Sequence, residues 1–266
     1  MTDSRPVTPL VRHDVDAGVA TLTLARPKAG NAMNMDFMDA LHEAVTAVVG
    51  DPGTRAILIE AEGDHFCVGG DVKDFADETD SGRYMADLAG RLHVSIRLLA
   101  AHPAPVVAAV RGVAAGAGLS LVAGADVAIA GRSANFLMAY GALGLTADGG
   151  ASWSLPRTIG LRRTQEMAFL GRRLTAEEAE RSGLVTRVVK DHRVTAEARD
   201  AARRIADGPT AAFGAVKALL ARSGGATLSD QLDAECAAIA AARVGDDARE
   251  GVAAFMTRRK PRFTGR

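Results

Sequence analysis

Up to about residue 190 the chain alternates short apolar runs with helical segments, and this alternation restricts the folds open to it. Strands are predicted at 19–24, 55–60, 105–110, 126–130 and 184–189. Alternating strands and helices are typical of parallel sheets with crossover helices, so we predict an α/β fold. From residue 196 onward the chain is alanine-rich and helical. We therefore expect a core over 1–195 and a helical region over 196–266.

The segments between the predicted strands divide into helices and loops. Helices are predicted at 35–49, 83–101, 161–170 and 175–181, the last with Thr175 as N-cap and Glu178 three residues later. Loops are expected at 63–71 and 112–118, and a mostly irregular segment at 133–150. The irregular stretch 75–82 is expected to line a ligand pocket.

Composition excludes several classes of protein. The 266 residues are 48% hydrophobic, with 32 basic and 32 acidic side chains and only 4% aromatic residues. A nucleic-acid-binding protein usually carries a basic excess or stacking aromatics, so we do not expect nucleic acid as a partner. The longest candidate membrane stretch, 112–131, contains Asp126 and is expected to be buried protein interior, so we do not expect a membrane as a partner either. Residues 1–14 lack the apolar run of a signal sequence. Two cysteines, Cys67 and Cys236, are too few for a disulfide framework, which favours a cytoplasmic location.

Several well-known catalytic motifs are absent from the sequence. Gly112, Gly116 and Gly118 form a pattern like that of dinucleotide-binding loops, but they follow about a hundred residues of alternating structure, and no Tyr-x-x-x-Lys accompanies them. The P-loop, the zinc-binding HExxH and the GxSxG nucleophile motif are also missing. We therefore expect no bound metal, no nucleotide hydrolysis and no serine-triad chemistry.

Two loops of small residues suggest a different chemistry. Both 66–71 and 116–118 allow a ligand to approach the main chain, and a helix is predicted to begin just after each loop. Free N–H groups lie at the start of a helix, and two of them aimed at one point form an oxyanion hole. The alternative is that these glycines serve only tight turns and close packing.

Together with their surroundings, the loops resemble the crotonase, or enoyl-CoA hydratase/isomerase, superfamily. The resemblance covers nearly the whole chain, and it lies in the order and spacing of Arg26-Pro27-Lys28 with Asn31-Ala32, Phe66–Asp71, Pro105–Asp126, Phe136, Gly144-Leu145, Gly149-Gly150, Leu155-Pro156-Arg157, Leu174–Val189 and Arg259-Lys260-Pro261. It implies a spiral of ββα units with a C-terminal helical region that assembles trimers or pairs of trimers. It also implies acyl-CoA thioester substrates, an enolate held by two backbone N–H groups, and no cofactor beyond the coenzyme A of the substrate.

The resemblance also assigns candidate catalytic residues. Gly70 and Ala117 are the expected N–H donors to the thioester oxygen. Ser120 and Tyr140 occupy the positions of the two glutamates that hydratases of the family use, so they are expected to shape the acyl pocket. Asp148 is the expected acid/base, as in family members that shift double bonds. The alternative for Asp148 is that it caps a helix beginning near Gly149.

Further positions are expected to contact the acyl group or coenzyme A. They are Arg26, Lys28, His65, Gly69, Asp71, Lys73, Gly116, His93 and Lys260. Solvent-exposed surface is the alternative for the basic ones. His93 also matches a histidine of the family's aryl-CoA dehalogenases, although Tyr140 stands where those enzymes have a tryptophan. Cys67 is expected to be simple apolar packing.

The sequence thus predicts an enzyme that moves a proton between carbons of an enoyl-CoA, which is double-bond isomerisation. Three alternatives remain open: hydration of enoyl-CoA, dehalogenation or hydrolysis of an aryl-CoA, and a protein that binds acyl-CoA without turning it over.

Overall fold

The computed structural model has a mixed α/β architecture and describes residues 9–76 and 78–266. The described strands are β1 Val11–Asp16, β2 Val19–Leu24, β3 Ala56–Ala61, β4 Val106–Val110, β5 Val113–Ala115, β6 Val127–Gly131, β7 Asn135–Leu137, β8 Leu174–Thr175 and β9 Arg187–Val189. The described α-helices are α1 Met35–Gly50, α2 Val72–Phe75, α3 Ser81–Ala101, α4 Ala117–Ala123, α5 Ala151–Thr158, α6 Leu161–Leu170, α7 Ala176–Ser182, α8 Val194–Ala206, α9 Thr210–Ser223, α10 Leu228–Arg243 and α11 Asp246–Met256.

The strands form two sheets. The larger has the order β1-β2-β3-β4-β6-β9, in which only the β1–β2 pair is antiparallel. The smaller has the order β5-β7-β8, with β5 parallel to β7. Strand pairs that are distant in sequence and parallel require helical crossovers, as the alternating pattern predicted.

The inner strands of the larger sheet are buried on both faces. In β4, Val106, Ala108 and Val110 pack into the main core, which also includes apolar residues of α1, α3 and α4. Val107 and Ala109 point to the opposite face, where α8 covers them with small residues such as Ala198 and Ala202. A strand with two covered faces reads as a continuous apolar run, which is why 105–110 is recognisable from sequence.

The predicted loops at 112–118 and 133–150 contain regular structure that the sequence reading missed. β5 lies within the first and β7 within the second, where the 3-10 helix Ala139–Leu143 follows. Strands of three residues give too few alternations to be distinguished from a loop. In the predicted irregular stretch 75–82, Phe75 ends α2 and α3 begins at Ser81.

The longer predicted helices and the capping box are confirmed. α1 and α3 begin and end within a few residues of the expected positions. Thr175 accepts a hydrogen bond from the N–H of Glu178, and the Glu178 side chain accepts one from the N–H of Thr175. α8 spans the boundary expected at 195/196 and packs on the sheet, while the division of the chain at that point stays a prediction.

None of the helices in the two described ranges combines the length and the apolar character that crossing a bilayer requires. Residues 1–8, the first part of the stretch in which no signal sequence was expected, lie outside the described residues.

Candidate active site

The loop 66–71 is held between two other segments of backbone. On one side Cys67 pairs with β5: its N–H donates to the carbonyl of Val113 at 3.1 Å, and its carbonyl accepts from Ala115 at 2.9 Å. On the other side Met33 donates to the carbonyl of Gly69 and accepts from the N–H of Asp71, at 2.8 and 2.9 Å. These pairings fix the loop beside the start of α4.

Glycine at two positions allows this loop and the turn before α4 to approach closely. Gly69 has φ +98° and Gly116 has φ +50°, conformations that favour glycine. A Cβ on Gly116 would lie 3.7 Å from the Cα of Gly69, and a Cβ on Gly69 would lie 3.1 Å from the carbonyl oxygen of Ala115. The two backbones therefore meet without side chains between them.

Two N–H groups remain available where the backbones meet. Met33 pairs with the neighbours of Gly70, so that the N–H of Gly70 points away from this pairing. Ala117 is the first residue of α4, where an N–H has no partner inside its own helix. Neither N–H donates to any described backbone or side-chain acceptor.

Both residues line a cavity of about 270 Å³. Its wall is almost wholly apolar and consists of Met33, Met38, Val68, Gly69, Gly70, Val72, Phe75, Met85, Leu88, Leu92, Gly116, Ala117, Ala139, Tyr140, Ala142, Leu143, Leu145 and Asp148. Asp148 is the only carboxylate among these lining residues, and Tyr140 is the only other ionisable one. The cavity thus combines an apolar surface, two backbone donors and one acid/base group.

The carboxylate of Asp148 is bound by a tyrosine. The hydroxyl of Tyr140 donates to Oδ1 of Asp148 at 2.6 Å. Behind Tyr140, the buried Ser120 donates to the backbone carbonyl of Asp148 at 2.9 Å, and its Oγ lies 3.2 Å from the Tyr140 oxygen. Ser120 itself does not line the cavity, so it contacts the expected acid/base through Tyr140 and through the main chain.

The capping alternative for Asp148 is wrong. The N-cap of α5 is Gly150, which has φ +82° and no side-chain hydrogen bond. The side chain of Asp148 accepts from Tyr140 rather than from a backbone N–H of the helix. Asp148 contacts α5 through its main-chain carbonyl, which accepts from the N–H of Ala151 at 3.1 Å, whereas its side chain lines the cavity.

His93 lies on α3 and contacts the peptide that follows Asp148. Its Nε2 accepts from the N–H of Gly149 at 3.0 Å. Gly149 has φ +59°, and a Cβ there would lie 2.7 Å from the Cβ of Ser120. His93 does not line the cavity, so the structure places it beside the candidate base and not against the cavity space.

Burial keeps two ionisable groups near the site protonated. The pKa of Tyr140 is raised far above its usual value by burial, by the charge of Asp148 and by the hydrogen bond to it, so Tyr140 retains its proton. Burial raises the pKa of Cys67 to about 12. Cys67 is fully buried and does not line the cavity, which agrees with a packing role.

Arg26 and Asp71, both expected to contact substrate, contact each other. A guanidinium nitrogen of Arg26 lies 2.7 Å from Oδ2 of Asp71 and donates to the carbonyl of Ala32 at 2.8 Å. Asp71 also caps α2 by accepting from the N–H of Lys73. Neither residue of the pair lines the cavity, and together they join the loop 66–71 to the segment around Arg26.

The basic residues expected at the coenzyme A side are exposed and scattered. Lys28 and Lys73 are exposed and do not line the cavity. The Nδ1 of His65 accepts from Val113 at 3.3 Å. Lys260 lies in the C-terminal tail, beside a second, polar cavity, and the structure does not bring it to the candidate site. Their contacts with coenzyme A stay predictions.

Sequence reasoning missed the residues that form most of the cavity wall. Met33 precedes α1, whereas Met85 and Leu92 both lie on α3, and each has the spacing of an ordinary core residue. The available signal is their apolar type on the same α1–α3 side of the fold, which does not distinguish a cavity wall from a filled core.

The chain matches known proteins over nearly its whole length. The model of the enoyl-CoA hydratase/isomerase family matches residues 14–266. A 1,2-epoxyphenylacetyl-CoA isomerase of Escherichia coli K12 is 40% identical over 95% of this chain and 97% of its own. A trans-2-decenoyl-[acyl-carrier-protein] isomerase of Streptococcus mutans is 31% identical over 96% of this chain and 98% of its own.

A solved structure supports the fold as well. The crystal structure of an enoyl-CoA hydratase of Mycobacterium smegmatis superposes with a TM-score of 0.90 at 33% identity, over 96% of this chain and 99% of that one. The expected α/β fold class with a helical C-terminal region is confirmed. A match over nearly the full length in both sequence and structure leaves one conclusion: the chain belongs to the enoyl-CoA hydratase/isomerase family, whose crotonase members act on acyl-CoA thioesters.

Proposed function

We propose that this protein isomerises the double bond of an enoyl-CoA, with Asp148 moving the proton while Gly70 and Ala117 hold the thioester oxygen. The observation that carries the proposal is the single carboxylate, Asp148, in an apolar cavity that two backbone N–H groups also line. Removal of the proton next to a thioester places negative charge on the thioester oxygen. Preorganised N–H donors stabilise that charge, and one such donor contributes about 2.7–4 kcal/mol in other enzymes.

The second oxygen of Asp148 is the one available for proton transfer. Tyr140 occupies Oδ1, while Oδ2 accepts no hydrogen bond from the described residues and is not sealed from solvent. The proposed base removes a proton from C2 of the substrate and returns one to C4. A general acid/base in the right position contributes roughly 10²–10⁴-fold to such a step.

Isomerisation is favoured over hydration because the cavity offers no pair of carboxylates. Hydration needs groups that both hold and deprotonate a water molecule. The two hydratase positions carry Ser120 and Tyr140, and the raised pKa of Tyr140 prevents it from acting as a base at neutral pH.

The test uses a 3-enoyl-CoA deuterated at C2, with products read by mass spectrometry. We expect 2-enoyl-CoA as product, with part of the deuterium transferred to C4, because one base carries the proton between the two carbons. The Asp148→Asn variant loses most turnover and still binds the CoA ester. Asp87→Asn, which changes an exposed carboxylate on α3, keeps wild-type turnover.

The alternatives are distinguished by other substrates. A 3-hydroxyacyl-CoA formed from crotonyl-CoA identifies a hydratase, and release of halide from a halogenated aryl-CoA identifies a dehalogenase. Tight binding without turnover across a broad panel of acyl-CoAs identifies a non-catalytic binder. Unchanged turnover in Asp148→Asn excludes Asp148 as the base.

We also propose a homotrimer or a pair of trimers, assembled through the C-terminal helices. Large apolar side chains are exposed along α9, α10 and α11, including Leu220, Ile239 and Phe255 with 70%, 73% and 82% of their surface exposed. Such a surface is typical of a protein interface. Light scattering coupled to size-exclusion chromatography tests this proposal, and a 27.6 kDa monomer would contradict it.

The proposed reaction uses no metal and no cofactor besides the coenzyme A of its substrate, because proton transfer needs only the base and the two donors. We place the protein in the cytoplasm. The support is chemical: Cys67 and Cys236 are both free thiols, and free thiols are typical of a reducing compartment.

A further inference from the structure

We propose that Tyr140 is a positioning residue, which binds Oδ1 of Asp148 and so leaves Oδ2 as the oxygen that moves the proton. The inference rests on the proposed function of Asp148 as the base. It goes beyond that function because it assigns a task in the reaction to Tyr140 and Ser120 and gives the reason for a tyrosine at position 140.

The direction of the hydrogen bond follows from the protons present. An ionised carboxylate can only accept, so the proton between the two oxygens belongs to Tyr140. The separation of 2.6 Å is typical of a charge-assisted bond between a hydroxyl and a carboxylate. Such bonds are short, directional and stronger than bonds between neutral groups.

Ser120 holds the main chain of Asp148 behind this pair. Its single hydroxyl proton has the carbonyl of Asp148 as its nearest acceptor, at 2.9 Å, compared with 3.2 Å to the Tyr140 oxygen and 3.3 Å to the carbonyl of Gly116. Ser120 is 2% exposed, so water does not replace these contacts readily. The serine therefore fixes the main chain of Asp148 behind the carboxylate that Tyr140 fixes in front.

Tyr140 is itself confined. It packs against the main core, and its ring faces the turn before α4, where a Cβ added to Gly116 would lie 3.7 Å from the ring. The hydroxyl thus points at Asp148 from a wall shared with the oxyanion donor Ala117. Asp148 and the donor Ala117 therefore lie on either side of the Tyr140 ring in one cavity wall. This arrangement keeps Oδ2 at a fixed position relative to a bound thioester.

Tyr140→Phe removes the hydroxyl and keeps the ring. We expect kcat to fall about 10- to 100-fold, the effect of losing one hydrogen bond to a charged group, with KM changed by less than about twofold. A role limited to packing would leave kcat unchanged, because phenylalanine fills the same space.

A readout independent of turnover is the NMR signal of the carboxylate itself. In protein labelled with ¹³C at the aspartate side-chain carboxyl, the signal missing from Asp148→Asn identifies Asp148. Loss of the hydroxyl that donates to Oδ1 changes the surroundings of this carboxyl carbon, so its signal shifts in Tyr140→Phe. Tyr84→Phe is the matched control, since the hydroxyl of Tyr84 contacts Asp74 instead, and it leaves the Asp148 signal in place.

Ser120→Ala is a second variant in case Tyr140→Phe does not fold. We expect the same direction of change in kcat, but smaller, because the bond from Tyr140 to Asp148 stays and only the hydrogen bond to the Asp148 main chain is lost. An unmoved Asp148 signal and unchanged kcat in Tyr140→Phe, with turnover lost in Asp148→Asn, overturns this inference and leaves the proposed function standing. Full turnover in Asp148→Asn overturns both.

Discussion

Gly69 and Gly116 face each other so closely that a Cβ on Gly116 would lie 3.7 Å from the Cα of Gly69. Each glycine precedes one of the two proposed oxyanion donors, Gly70 and Ala117. The close approach of these backbones is therefore what brings the two donors to one cavity. Backbone donors depend on the fold and not on side-chain identity, so the loops themselves are the functional part.

Gly69→Ala tests this dependence on the loops. The φ of +98° is unfavourable for alanine, and the new Cβ would lie 3.1 Å from the carbonyl of Ala115. We expect a loss of about 1–3 kcal/mol in the free energy of unfolding together with a fall in kcat, because the donor at Gly70 shifts. Thermal denaturation and steady-state kinetics measure the two effects.

A control for the glycine change is available on α3. Gly90 is helical and has no atom within 4 Å of its would-be Cβ. Gly90→Ala is expected to stabilise the protein by about 0.5–1 kcal/mol and to leave kcat unchanged. Wild-type activity in Gly69→Ala would show that the site does not depend on the tight approach.

The ion pair between Arg26 and Asp71 predicts a structural effect of mutation. The pair is mostly buried, and Arg26 also holds the carbonyl of Ala32. Arg26→Ala is expected to cost about 1–3 kcal/mol of stability, with a coupling energy to Asp71→Ala of at least about 0.5 kcal/mol in a double-mutant cycle. Denaturant unfolding measures both quantities.

The more exposed pair Arg12–Glu62 serves for comparison, and Arg12→Ala should cost no more than about 1 kcal/mol. If Arg26→Ala instead raises KM strongly without a loss of stability, Arg26 contacts the substrate, as the family resemblance led us to expect.

His93 is predicted to act through the peptide of Gly149. His93→Leu removes the acceptor for this N–H, and an unpaired buried N–H is unfavourable, so the Asp148 loop should shift. We expect kcat to fall about 10-fold with KM nearly unchanged. His93→Gln, which keeps an acceptor, should recover most of the lost kcat. Equal kcat of the wild type, His93→Leu and His93→Gln would show that His93 does not contribute to the reaction.

Cys67 is predicted to be unreactive in the native protein. Burial raises the pKa of its thiol to about 12, so the reactive thiolate is scarce at neutral pH and remains so at about pH 9. Iodoacetamide should modify Cys67 only in denaturant, as read by peptide mass spectrometry. Rapid modification in the native state, rising with pH in the neutral range, would show an accessible thiol of ordinary pKa.

Much of the fold was predictable from local signals. Neighbouring residues alone determine two of these elements, the buried run 105–110 and the Thr175–Glu178 capping box. No such local signal exists for β5 and β7, because each has three residues and they pair with each other across about twenty residues of sequence. Short strands are stabilised by their partners, which a local pattern does not contain.

The candidate site was likewise predictable only in part. The family resemblance identified Asp148, Gly70 and Ala117, and the structure brings all three to one cavity. The contact between His93 and Gly149 joins residues 56 positions apart, and no spacing rule leads to it. The pairing of Arg26 with Asp71 spans 45 positions and was equally hidden from local patterns, while the contacts of both residues with substrate stay predictions.

The central claim is that two main-chain amides, at positions 70 and 117, hold the thioester oxygen of an acyl-CoA. A crystal structure of Asp148→Asn with a bound enoyl-CoA measures this directly. The account predicts a thioester oxygen within about 3.1 Å of both the Gly70 and the Ala117 nitrogens. A bound ester whose oxygen lies away from these nitrogens would contradict the account.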